Sequence, residues 1–333
     1  MTVHMDMERV ADMEVQYVQP IEQNIQQPML KFAQPVASVI NIDTPNGAEI
    51  KDSLLVTTVE PQSHHGWSRL ETARNQVCAE FIGTFLLMFF SYAGNAQSIL
   101  YKSPFAILAA PLGLAAGLYV SGGVSFFSSN DSSYLLLFQK GGHLNPAITV
   151  SFAIHRKFPW RKVPRYIGAQ LLGAFFAALF AFLYYWPDIN HYDQGLHRVT
   201  GELATAGIFA FNPPGYYSNL AGFFKEVLND LVFLLGIYGI TDVKNGQANG
   251  YVVLGVSFHF LAVLVCFGGN AINPAGDFCG RAVAAMVGYG SEMFSANNCY
   301  FWITFTGPFL GAALGGLLYR LFIHPKAESV VMK

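Results

Sequence analysis

Apolar residues run along this chain in long unbroken blocks rather than in alternation. Six blocks, at about 75–100, 104–124, 163–186, 222–241, 250–268 and 300–323, are each long enough to form a helix that crosses a bilayer. Two further apolar stretches open at Asn145 and Asn273 and stop after about 10–12 residues, too few to cross. They read as half-helices that enter the membrane and end there. The pattern predicts an all-α membrane protein: six transmembrane helices plus two re-entrant half-helices. Residues 1–66 show no sustained period. Gln23, Asn24, Gln26 and Gln27, interspersed with Pro20, Pro28, Pro35, Pro45 and Pro61, predict a disordered tail ahead of a membrane domain at 67–323. Residues 324–333 read as a second, short tail.

The half-helices open on a repeated phrase. Gly141-Gly142-His143-Leu144-Asn145-Pro146-Ala147 recurs as Gly268-Gly269-Asn270-Ala271-Ile272-Asn273-Pro274-Ala275. Each copy follows the second span of its half and precedes the third, so the chain divides into repeats at about 74–186 and 222–323. Three spans per repeat is an odd number, and the two repeats must therefore be inserted in opposite senses. Inverted repeats place a pathway at their interface, near the midplane. Asparagine is a preferred N-cap, and proline suits the first helical position, where its missing N–H is no loss. Each Asn-Pro-Ala thus starts a helix. If the two starts meet in mid-membrane, two positive dipole ends face one another and repel cations. The spare amide N–H groups of Asn145 and Asn273 would then offer hydrogen bonds to a passing oxygen. A neutral hydroxyl compound recovers its lost water bonds there and an ion does not.

Composition sharpens this picture. Charged residues make up 12% of the chain and hydrophobic ones 53%, against about 25% charged in a soluble domain. A net charge of -2 exerts no pull toward nucleic acid. Basic residues cluster before the first span (Arg69, Arg74), before the third (His155, Arg156, Lys157, Arg161, Lys162, Arg165) and after the sixth (Arg320, Lys326). The connection at 187–221 carries Asp188, Asp193 and Glu202 instead. The positive-inside rule then predicts both termini in the cytosol. Cys78, Cys266, Cys279 and Cys299 have neither metal-ligand spacing nor a disulfide framework. With no nucleophile elbow, phosphate loop or metal cluster in the sequence, neither an enzyme nor a cofactor is expected. A coupled transporter would want a carboxylate relay in the pathway, for which only Glu80 and Glu226 come forward.

Three further stretches carry a family resemblance over about residues 74–323. They are Ala79-Glu80-Phe81-Ile82-Gly83-Thr84-Phe85, His143-Leu144-Asn145-Pro146-Ala147-Ile148-Thr149 and Gly307-Pro308-Phe309-Leu310-Gly311-Ala312. With the paired Asn-Pro-Ala they resemble the major intrinsic proteins, the aquaporins and glycerol facilitators. Asp277, and the outer-loop stretch Ala204-Thr205-Ala206-Gly207-Ile208-Phe209, resemble the glycerol-conducting branch. The resemblance implies a homotetramer in the bilayer, one pore per subunit, passing water and glycerol. The class suggests the plasma membrane. It further implies that Glu80 and Glu226 accept hydrogen bonds from the half-helix loops as structural support, and that His143 lines the inner pore. Within the family a water-selective channel is the alternative, and a gated or non-conducting protein of the same fold is another.

The chain also departs from the family. An arginine usually follows the second Asn-Pro-Ala, where this chain has Gly276; Arg281 stands five residues further on, well over one helical turn away. Counting outward from the motifs puts the other filter positions near Ala110 or Pro111, Leu261 or Ala262, and Asn270. Loss of a guanidinium removes five donors and a permanent charge, which predicts a wider, less selective filter. His259 reads as a packing residue and Cys279 as a buried thiol. Phe126 to Gly141 is an insertion, ending in the apolar run Tyr134-Leu135-Leu136-Leu137-Phe138. It is either a tolerated surface loop or a flap over the inner mouth. Under the flap reading, deleting 127–140 raises solute flux into proteoliposomes; unchanged flux at equal protein density would leave only the loop.

Overall fold

The computed structural model describes residues 36–39, 55–58, 69–127, 141–242, 251–268 and 271–323. Two units are distinguished, residues 1–66 and 67–333. In the first, strands β1 (Val36–Val39) and β2 (Leu55–Thr58) pair antiparallel, Val36 opposite Thr58 and Val39 opposite Leu55. The pattern predicts no element there, but both runs are rich in the branched residues that suit a pleated strand. The rest of the predicted N-terminal tail, the core of the insertion (128–140), Asn270 and the tail at 324–333 lie outside the described residues.

The second unit holds the long helices. They are α1 (Arg69–Tyr101), α2 (Ala109–Phe127), α4 (Val163–Asp193), α5 (Asn219–Ile240), α6 (Val252–Phe267) and α8 (Phe301–Leu318), the last continued by a π turn to Ile323. Between them lie the half-helices α3 (Pro146–His155) and α7 (Pro274–Ala284). Among the boundaries that shift from the sequence pattern, two have a local cause. After α1 the chain turns through Lys102, left-handed at φ 55°, and a 3-10 turn at Ala106–Leu108, so α2 begins later than 104. At the other boundary α4 does not stop at 186: Pro187 sits inside it, and the helix ends only where Gln194 turns left-handed at φ 61°. A proline forfeits one backbone bond and strains its turn, which kinks a long packed helix without having to end it.

Ala73–Tyr101, Trp160–Asp193 and Phe301–Ile323 are long and apolar enough to cross a membrane, and α2 and α6 are shorter apolar helices. α5 carries Lys225, Glu226 and Asp230, and two of these are fully buried. Outward faces are apolar at helical spacing, as in Leu172, Phe176, Phe180 and Leu183 on α4 and Leu220, Phe224 and Leu228 on α5. Water would not tolerate such stripes; lipid does.

The inverted repeat is visible in the packing. α1 packs on α2 and α4, and α5 packs on α6 and α8 in the same way. The half-helices cross over: α3 lies against α8, and α7 against α4. Close approach depends on interhelical glycines in both repeats, of which Gly173 and Gly311 occupy corresponding places. A Cβ at Gly173 would strike the Phe81 carbonyl and press on Phe85 N and Thr84. A Cβ at Gly311 would strike the equivalent Val227 carbonyl, Asp230 and Leu231 N. These are backbone contacts, which cannot swing aside. Gly173→Val and Gly311→Val are each expected to destabilise the protein by more than the ~1–3 kcal/mol of ordinary overpacking, read as lost thermal stability of the detergent-solubilised protein.

Candidate functional site

Both half-helices begin where the sequence places them. Asn145 and Asn273 are extended N-cap residues whose Oδ1 atoms accept from Ala147 N at 2.8 Å and Ala275 N at 3.1 Å, with Pro146 and Pro274 following. Each side chain also reaches across the repeat axis. Asn145 Nδ2 donates to the Ile272 carbonyl at 3.0 Å, and Asn273 Nδ2 donates to the Leu144 carbonyl at 2.9 Å. An amide carries two N–H donors. One from each asparagine is consumed in this exchange, and the other is left for the lumen.

The residues that receive these bonds are strained. Leu144 and Ile272 lie in the left-handed region, at φ 54° and 55°, a conformation costly for a bulky side chain and most of all for the β-branched Ile272. Buried carboxylates hold them there. Glu80 Oε1 accepts from His143 N at 2.8 Å and Oε2 from Leu144 N at 2.9 Å, while Gln170 Nε2 donates to the same Oε2 at 2.8 Å. Glu226 Oε1 accepts from both Ala271 N and Ile272 N, each at 2.9 Å. Gln170, which also donates to Thr149 Oγ1 at 2.9 Å, escapes the sequence reading because nothing in its spacing marks it. Asp230, one turn beyond Glu226, has both its oxygens buried without a hydrogen-bond partner among the described residues.

A cavity of about 490 Å³ opens over the paired turns. Its walls include Asn145, Asn273, His143, Ala110, Gly276 and Asp277 from the sequence-predicted set, together with Met88, Tyr92, Phe260 and Leu264. His143 is itself 1% exposed, its Nδ1 3.1 Å from Thr149 Oγ1 and its ring packed against Phe152, Phe158 and Tyr166. The fifth span meets this wall through residues other than those counted outward from the motifs. Leu261 and Ala262 do not line the cavity, and Ala262 is on the exposed side of α6. Phe260 and Leu264 do, because residues four apart share a helix face and that face looks inward here. Asn270 falls outside the described residues. His259 packs beside Gly236 with Nε2 3.2 Å from the Phe233 carbonyl, and Cys279 Sγ donates to the Leu171 carbonyl at 3.2 Å.

Asp277 and Arg281 form an ion pair at 2.7 Å within the second half-helix. Arg281 is 1% exposed and lies off the cavity wall. Its remaining donors reach the carbonyls of Met293 at 2.6 Å and Phe211 at 2.5 Å. Asp277 in turn accepts from Phe211 N at 2.8 Å and Thr304 Oγ1 at 2.6 Å. The pair therefore pins the connection between α4 and α5, whose Gly207, Phe209, Ala210 and Phe211 roof the cavity. Among the described residues, Asp277 is the one carboxylate on the cavity wall, and it is neutralised by the clasp it belongs to.

The two glutamates differ in a testable way. Glu80 spends both oxygens on donors, whereas Glu226 holds both of its backbone N–H groups on one oxygen. A glutamine at 226 keeps that acceptor; at 80 it turns an NH₂ toward a backbone N–H. Glu80→Gln is expected to cost about 1–3 kcal/mol from the orphaned donor and to lower thermal stability more than Glu226→Gln does. Equal losses would contradict this division of roles.

Residues 67–319 match the family profile described as MIP, major intrinsic protein. The chain is 37% identical over 277 residues to aquaglyceroporin-2 of Rhizophagus irregularis, covering 80% of this chain and 83% of that one. It is 34% identical over 267 residues to human aquaporin-9, covering 77% and 85%. Among solved structures, the aquaglyceroporin from Plasmodium falciparum superposes with a TM-score of 0.62 at 25% identity, covering 76% of this chain and 98% of that one. With the inverted repeat and the exchanged asparagine bonds already in place, these likenesses agree on one conclusion: the chain belongs to the major intrinsic protein family.

Proposed function

We propose that the protein is a passive transmembrane channel for small neutral solutes, water and glycerol foremost, with Gly276 in place of a filter arginine. The observation that carries this reading is the chemistry of the cavity wall. Asn145 and Asn273 offer donors at its floor, where two helix N-termini converge and disfavour cations. Around them Leu87, Met88, Leu114, Phe209, Phe260 and Leu264 form an apolar surface. Polar groups on one part of the wall and hydrocarbon on the rest suit a polyol, which has hydroxyl and carbon edges. Among the described residues, no unpaired carboxylate on that wall is available to relay protons or bind sodium, since Asp277 is held by Arg281. Two relatives named as aquaglyceroporins, from Rhizophagus irregularis and Plasmodium falciparum, support the same solutes.

The other parts of the reading rest on this one. Basic residues at the ends of α1, α4 and α8 favour cytosolic termini. Outer apolar stripes on α4 and α5 would face lipid or a neighbouring subunit of a homotetramer, and the plasma membrane is the proposed residence. Stopped-flow light scattering on proteoliposomes tests the core of it. Both osmotic water flux and glycerol uptake are expected to exceed those of empty liposomes and to ignore imposed proton or sodium gradients. Water flux without glycerol uptake would reassign the protein as a water-selective channel; gradient-driven uptake would make it a transporter.

A further inference from the structure

We infer that Met88 is the side chain that sets the width and chemistry of the constriction beside Gly276. The inference deepens the channel reading above and rests on it. Gly276 lies in the first turn of α7 and has no side chain, yet the space before it is filled. A Cβ at 276 would collide with the Met88 methyl and stand 2.8 Å from its sulfur. Met88 reaches there from α1, is 8% exposed and lines the cavity. One turn further along the same face, Tyr92 donates from its hydroxyl to the Gly276 carbonyl at 2.7 Å and is itself buried. That bond holds the Met88 face of α1 against the mouth of α7, with Ala110 and Phe260 on the wall around it.

The consequence is a change of discrimination, not simply a wider hole. A guanidinium would bring five donors and a fixed charge. A thioether brings neither: it is a weak acceptor on three rotatable bonds, and it adapts to its neighbours. Such a constriction reads the girth and carbon edge of a solute, leaving the hydroxyls to Asn145 and Asn273. Being flexible, it yields to a solute slightly too large, where a hydrogen-bonded arginine would not. Met88 and position 276 also compete for the same space, so substitutions at the two must be coupled.

The test compares uptake of glycerol with that of the longer polyols erythritol and xylitol, per reconstituted channel. Met88→Ala is expected to raise the xylitol-to-glycerol permeability ratio, and Met88→Leu, of similar volume, to leave it near wild type. Gly276→Arg should act differently in the Met88→Ala background, the two effects departing from a simple product by about threefold or more. A Met88→Cys channel, tested beside wild type to control for the four native cysteines, should lose flux on treatment with a small methanethiosulfonate. The inference is overturned if wild type conducts glycerol while the ratio is unmoved by Met88→Ala and the cysteine variant is unaffected by the reagent. A wild-type protein that conducts nothing would sink the channel reading itself, and this inference with it.

Discussion

Leu144 and Ile272 occupy a backbone conformation that branched side chains avoid, and two buried carboxylates keep them in it. The rest of the structure depends on that bracing. A left-handed residue just before each asparagine aims its carbonyl across the repeat axis at the other asparagine's amide. Without Glu80 and Glu226 the preceding N–H groups would be buried with no acceptor, at a depth where water cannot serve. The half-helix starts would then lose their fixed separation, and with it the two aligned amides at the cavity floor. Carboxylates are expensive in a membrane interior. Here each accepts at least two backbone bonds, and they form the scaffold of the site rather than part of its wall.

The same economy governs the half of the cavity beneath the α4–α5 connection. Arg281 could not be a filter residue from where it stands in sequence, and its burial explains its use. Together with Asp277 it ties the second half-helix to Phe211 and Met293, fixing the loop that follows the 3-10 turn at Ala206–Ile208. Charge is present near the pore but satisfied internally, so the passing solute meets dipoles and hydrocarbon. Thr84 and Asp230 mark a contrast. They occupy corresponding places beside Gly173 and Gly311, and neither side-chain oxygen set finds a partner among the described residues. The interhelical contact there is set by backbone proximity, not by polar pairing.

Much of this was legible in the sequence, for physical reasons. Long apolar blocks announce spans because a bilayer has one thickness. Asn-Pro-Ala announces a helix start because capping is local chemistry, settled by three adjacent residues. Its recurrence in two three-span halves dictates an inverted repeat by counting alone, and Glu80 and Glu226 stand out because ionisable residues in apolar blocks are rare. Tertiary structure alone decided which carboxylate oxygen each loop uses, that Gln170 joins Glu80, and that Asp277 and Arg281 clasp the α4–α5 connection. It also turned α6 so that Phe260 and Leu264, not Leu261 and Ala262, meet the cavity, and it placed Met88 in the space that Gly276 leaves. A helix's rotation and the filling of a gap are set by packing between residues far apart in the chain, and local pattern carries no record of either.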